Sequence, residues 1–155
     1  MIRSVSLSVR KAALCAVLGA MVGAAAPALA QNEQFIPILS YRVGPYAAGG
    51  TGFSGGFIDY LDMINKRDGG VNGVKLTWEE CETEYKNDRG MECYERLKKK
   101  GPTGATMVDP LSTGITYAIS DRAPTDKIPV VSLAHGRSDA ADGRVFEYVF
   151  PLITS

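Results

Sequence analysis

The stretch "DPLSTGIT", residues 109 to 116, sets two adjacent hydroxyls between an apolar run and a segment with helical spacing. A junction of this kind suits an anion, because the first turn of a helix has unpaired N–H groups and the positive end of the dipole. Ser112 and Thr113 are the candidate contacts. The competing reading is structural, since either hydroxyl can simply cap the helix.

Gly50-Thr51-Gly52-Phe53-Ser54-Gly55 has the G-x-G-x-x-G spacing of a dinucleotide turn, and Glu79 closes the next apolar segment where a ribose partner would stand. That fingerprint follows its strand directly, however, whereas here a stretch containing Pro45 intervenes after Ser40. Gly44 and Gly49 have the Walker spacing, but no lysine follows them. Gly52-Phe53-Ser54-Gly55-Gly56 only approaches a hydrolase elbow, and His135 is the sole imidazole available as a base. His135 also reads as a solvated loop residue.

Residues 1 to 30 have the three parts of a secretory signal: Arg3, Arg10 and Lys11, then "AALCAVLGAMVGAAA", then the small residues "ALA". Cleavage is expected after Ala30, which leaves residues 31 to 155 as the exported product. A membrane-spanning helix fits less well, because the run is short, rich in Gly and Ala, and broken by Pro27. Losing those three cations from 17 leaves 14 against 17 acidic residues, a formal charge of −3. A mildly acidic chain of this kind is not built to neutralise phosphates, which argues against nucleic acid. "RLKKKG" at 96 to 101 suits the C-terminus of a helix, where the dipole favours cations. Cys15 leaves with the signal, so Cys81 and Cys93 remain as an even pair in an oxidising compartment. A disulfide is the expected outcome and two free thiols the alternative. Zinc lacks both a C-x-x-C spacing and a second histidine.

The elements that must position these groups alternate along the chain. Apolar or alternating runs at 35–40, 74–79, 105–108, 128–133 and 145–153 predict strands. Phe53, Phe57, Tyr60, Leu61 and Ile64 mark one face of a helix that Gly69 and Gly70 stop. Asn87 or Asp88 is placed to cap a second helix carrying Met91, Tyr94 and Leu97, and Ile115, Ala118 and Ile119 face a third. Strict alternation predicts an α/β fold, a doubly wound parallel sheet. In such sheets ligands bind beyond the carboxyl ends of the strands, here the loops 41–52, 109–113 and 134–143.

An export signal, then "IPILSYRVGPYAAGG", then a helix ending "INKRDGGVNGVKLTWEE" resembles the N-terminal lobe of periplasmic solute-binding proteins. The match is to the branched-chain amino acid (leucine/isoleucine/valine-binding) family of ABC importers, with the type I periplasmic binding fold. "DPLSTGIT" and "VVSLAHG" are similar to its loops after the third and fourth strands. The resemblance implies that residues 31–155 are an incomplete N-terminal lobe and that a second lobe completes the grip on the ligand. It implies an amino acid or similar small solute, ABC permease subunits as partners, a monomer at full length, and neither enzyme activity, cofactor nor metal.

By position, Ser112 or Thr113 would then hold the ligand's carboxylate. Ala134 and Gly136 would offer backbone groups, His135 would meet the ligand side chain, and Tyr46 would pack on the ligand. The family's usual aromatic position is occupied here by Gly49. The alternatives are a secreted sensory domain on the same fold and an exported dinucleotide-binding oxidoreductase.

Overall fold

The computed structural model of the protein describes residues 32–133 and 138–152. β1 (Glu33–Ser40) is its central strand, and its sequence EQFIPILS is apolar on both alternating faces. Phe35 and Leu39 enter one cluster, with Cys81, Tyr94, Leu97, Val108, Ile115 and Ile119. Ile36 and Ile38 enter the other, with Leu61, Phe57 and Trp78. The first cluster draws on α2 (Asn87–Leu97) and α3 (Thr113–Ser120), the second on α1 (Ala47–Asp68). Helices therefore cover both faces of the sheet, as the doubly wound expectation requires.

β2 (Lys75–Glu82) pairs parallel with β1 along its whole length, from Glu33 opposite Lys75 to Ser40 opposite Glu82. On the other flank of β1 the expected strand at 105–108 is not regular. It touches β1 through parallel bridges Phe35–Ala105 and Ile38–Asp109, and touches β3 (Val130–Ser132) through Val108–Val130. Between those bridges the segment 105–109 has one residue more than β1, and that extra residue breaks the ladder as a bulge does. β3 pairs parallel with β4 (Val149–Pro151). The order across the layer is β2, β1, segment 105–109, β3, β4, with every pairing parallel. The last two strands are shorter than expected, and residues 142–146 turn ahead of β4, with the Asp142 carbonyl accepting from the amides of Val145 and Phe146.

Two helix starts differ from expectation. α1 begins at Ala47, so the whole G-x-G-x-x-G stretch lies inside it rather than in a loop. The amides of Gly49 and Gly50 already donate to the Tyr46 carbonyl, and a Cβ on Gly50 would stand 2.2 Å from the Tyr41 carbonyl oxygen. Gly50 lets the helix approach the residue that follows β1, and the helical stretch leaves no cradle for a pyrophosphate. Glu79 lies within β2 and pairs with Arg96 and Lys100, so it is no ribose partner.

α2 is preceded by Lys86 in the cap position, without a side-chain bond, rather than by Asn87 or Asp88. The Asp88 carboxylate instead accepts from the Arg89 amide. α1 stops as expected at Gly69, in the left-handed region. A short helix, α4 (Ala123–Asp126), and a 3₁₀ turn at Ser138–Ala141 complete the described elements. Cys81 and Cys93 form a disulfide joining β2 to α2, with Cα atoms 5.8 Å apart. Among the described residues no helix is long and apolar enough to cross a membrane, and no group of three or more His, Cys, Asp or Glu is arranged to hold a metal.

Candidate functional site

β1 has β2 on one flank and segment 105–109 on the other, so the chain reverses its direction of winding at β1. The connection after β1 runs to one face of the sheet through α1, the connection after segment 105–109 runs to the other through α3, and a crevice opens between β1 and that segment. Residues 41–46 line it from β1, and residues 109–113 from the next segment.

Ser112 is the N-cap of α3. Its Oγ accepts from the Ile115 amide at 3.4 Å, and its carbonyl accepts from the Thr116 amide and hydroxyl. It is only 1% exposed. The structural reading of this hydroxyl is therefore realised. Thr113 opens the first turn of α3 and is half-buried. The turn is set against α2: Cβ atoms added to Gly114 and Gly90 would meet Asn87 Oδ1 at 2.4 Å and the Ile115 side chain at 2.6 Å.

Tyr46 stands just before α1 and is 57% exposed. Its ring packs on Tyr85 with centroids 4.5 Å apart, and Tyr85 and Tyr41 form a T-shaped pair at 5.0 Å. Three tyrosines from two loops thus form one wall. Tyr85 reaches it because Glu84 and Tyr85 both take left-handed backbone angles, φ 52 and 60, costly for residues with side chains. Local bonds hold them there. The Thr83 hydroxyl accepts from the Tyr85 amide and donates to the Ser40 carbonyl, and the Glu82 carboxylate accepts from the amides of Arg42 and Glu84. The Arg42 guanidinium bridges Glu80 and the Thr51 carbonyl, tying the first loop to β2 and α1.

Asp109 closes the crevice floor at 8% exposure. Burial pushes its carboxyl up to about 6, against the opposing hydrogen bond from the Leu111 amide at 3.1 Å. Burial also raises the Tyr41 phenol, with smaller contributions from Tyr85 and Asp109, so these groups share one electrostatic neighbourhood.

Of the residues singled out from the sequence, Tyr46, Ser112 and Thr113 come to the same edge of the sheet. Ala134, His135 and Gly136 lie outside the described residues. Tyr41, Tyr85 and Asp109 were not singled out. Asp109 was visible as an acid ending an apolar run before Pro110, but Tyr85 carries no local signal, because the turn that delivers it is stabilised by β1.

A parallel sheet covered on both faces, with its winding reversed at β1, defines a doubly wound α/β domain. More particularly, residues 33–155 match the family model described as periplasmic binding protein, and the chain belongs to that family. It is similar to a solved structure from the Pseudomonas fluorescens group titled an ABC transporter permease, at 47% identity and a TM-score of 0.74 over 80% of this chain and 30% of that one. A fatty acid ABC transporter substrate-binding protein from Thermomonospora curvata shares the fold at 19% identity and TM-score 0.68, over 83% of this chain and 31% of that one. So does a branched-chain amino acid transporter substrate-binding protein from Streptococcus pneumoniae, in complex with isoleucine, at 21% and 0.65 over 76% and 33%. The chain spans about a third of the length of these proteins. No curated protein matches it.

Proposed function

We propose that the chain is the N-terminal lobe of an exported substrate-binding component of an ABC importer, which carries an amino acid or similar small polar solute to permease subunits. The observation that carries this reading is the switch-point crevice, where the α3 N-terminus and the 41–46 loop meet on one sheet edge. A zwitterion leaving water needs directed partners for each charged end, and helix amides serve a carboxylate without a counter-charge. Residues 1–30 are the cleaved signal, consistent with a disulfide that requires an oxidising compartment. Full length, the protein would act as a monomer in the periplasm, with the second lobe adding the remaining contacts. Ala134, His135 and Gly136 would border the same crevice.

The test is calorimetric titration of Ser112→Ala and Thr113→Ala in the full-length protein, beside thermal melts. A lost bond to a charged ligand group is worth about 1.5–3 kcal/mol of affinity. Loss of the cap alone costs about 0.5–2 kcal/mol of stability. Ser112→Ala is expected to lower stability, and Thr113→Ala to lower affinity. Unchanged affinity in both would remove α3 from the ligand site.

A further inference from the structure

Several acceptors around the tyrosine wall are already engaged. The Tyr46 carbonyl takes the amides of Gly49 and Gly50, the Gly44 carbonyl takes that of Ala47, and the Ser40 carbonyl takes both the amide and hydroxyl of Thr83. Glu82 takes the amides of Arg42 and Glu84, and Glu80 is paired with Arg42. A primary ammonium brings three N–H donors that each need an acceptor once water is removed. Each of the acceptors just named already takes at least one donor, whereas Asp109 takes one amide and no ion pair among the described residues.

The wall offers instead the ring of Tyr46, packed on Tyr85, which in turn packs on Tyr41. Tyr46 leaves more than half of its surface open. Aromatic faces of this kind attract cations that carry no donors, quaternary ammonium above all. The charge balance agrees. Arg42 is neutralised by Glu80, Lys86 and Arg89 are held by Glu84, and among the described residues no ion pair reaches Asp109.

Resting on the reading above, we infer that the solute is a zwitterion of the betaine class, with an N-methylated ammonium on the Tyr41–Tyr85–Tyr46 wall beside Asp109 and a carboxylate toward the α3 N-terminus. The buried Asp109 carboxylate supplies the counter-charge. Tyr85 fixes the two neighbouring rings and lowers the cost of ordering them when the ligand arrives.

The experiment compares trimethylglycine with 3,3-dimethylbutanoate, which replaces N⁺ by carbon at the same shape, alongside leucine and benzoate, by titration calorimetry on the full-length protein. Trimethylglycine is expected to bind at least tenfold more tightly than its carbon isostere and than leucine. Tyr46→Ala should weaken it roughly 5- to 30-fold while Tyr46→Phe, which keeps the ring, stays near wild type. Asp109→Asn should weaken trimethylglycine and leave the isostere unchanged, in a variant whose melting temperature shows that it is folded.

Equal binding of the isostere, unchanged affinity in Tyr46→Ala, or tight leucine or benzoate binding without trimethylglycine would overturn the inference. In each of these cases a solute still binds and the transport reading stands. Failure of every solute in the set to bind the wild-type protein would overturn both.

Discussion

Replacing Asp109 by Asn isolates the cost of holding a carboxylate in the crevice floor. The side chain is 8% exposed, and its burial lifts the carboxyl from the ordinary 3.8 to about 6. A raised carboxyl pKa means that the folded chain holds a proton the unfolded chain releases. Stability from this group is therefore fully present below about pH 3.8, falls as pH rises, and is lost above about pH 6. A shift of about two units corresponds to about 3 kcal/mol. The Asp109→Asn variant keeps an oxygen able to accept from the Leu111 amide, so the turn survives while the charge does not.

Denaturant melts of wild type and Asp109→Asn at about pH 4 and about pH 8 measure the effect. The two should be close in stability at the lower pH. The variant should gain on wild type at the higher pH by an amount approaching 3 kcal/mol. A stability difference that does not change with pH, or a variant that is weaker at pH 8, would refute the assignment of a buried and uncompensated charge at this position.

Two glycines of α1 should respond oppositely to alanine. Gly52→Ala adds a Cβ into open space and should raise stability by about 1 kcal/mol through helix propensity, while Gly50→Ala drives one against the Tyr41 carbonyl and should cost about 1–3 kcal/mol or more. Melting shifts of the same sign in both variants would contradict that packing. Non-reducing digestion and mass spectrometry of exported protein should recover the Cys81 and Cys93 peptides linked, and reduction should cost about 3 kcal/mol for a loop this short. Both cysteines alkylated without reductant would contradict the bridge.

The helix start that borders the candidate site was readable because its signal is local. "DPLST" announces a helix start after an apolar run, and the Ser112 oxygen does accept from the Ile115 amide three residues on. The Tyr85 contribution was not readable, because nothing near position 85 shows that its ring meets Tyr41 and Tyr46.

By itself the sequence determined the alternation of strands and helices, the two-faced apolar character of β1, the stop of α1 at Gly69 and the pairing of two cysteines. Each follows from side-chain periodicity, backbone freedom or parity within a short window. Tertiary structure alone decided that the glycine motif is helical, since only contact with the end of β1 rewards a helix start so poor in propensity. It also decided that segment 105–109 joins the sheet through scattered bridges, because its extra residue is visible only against the register of β1. The tyrosine wall has the same origin. Its left-handed turn is unfavourable in isolation and persists because Thr83 is bonded to Ser40 across the sheet.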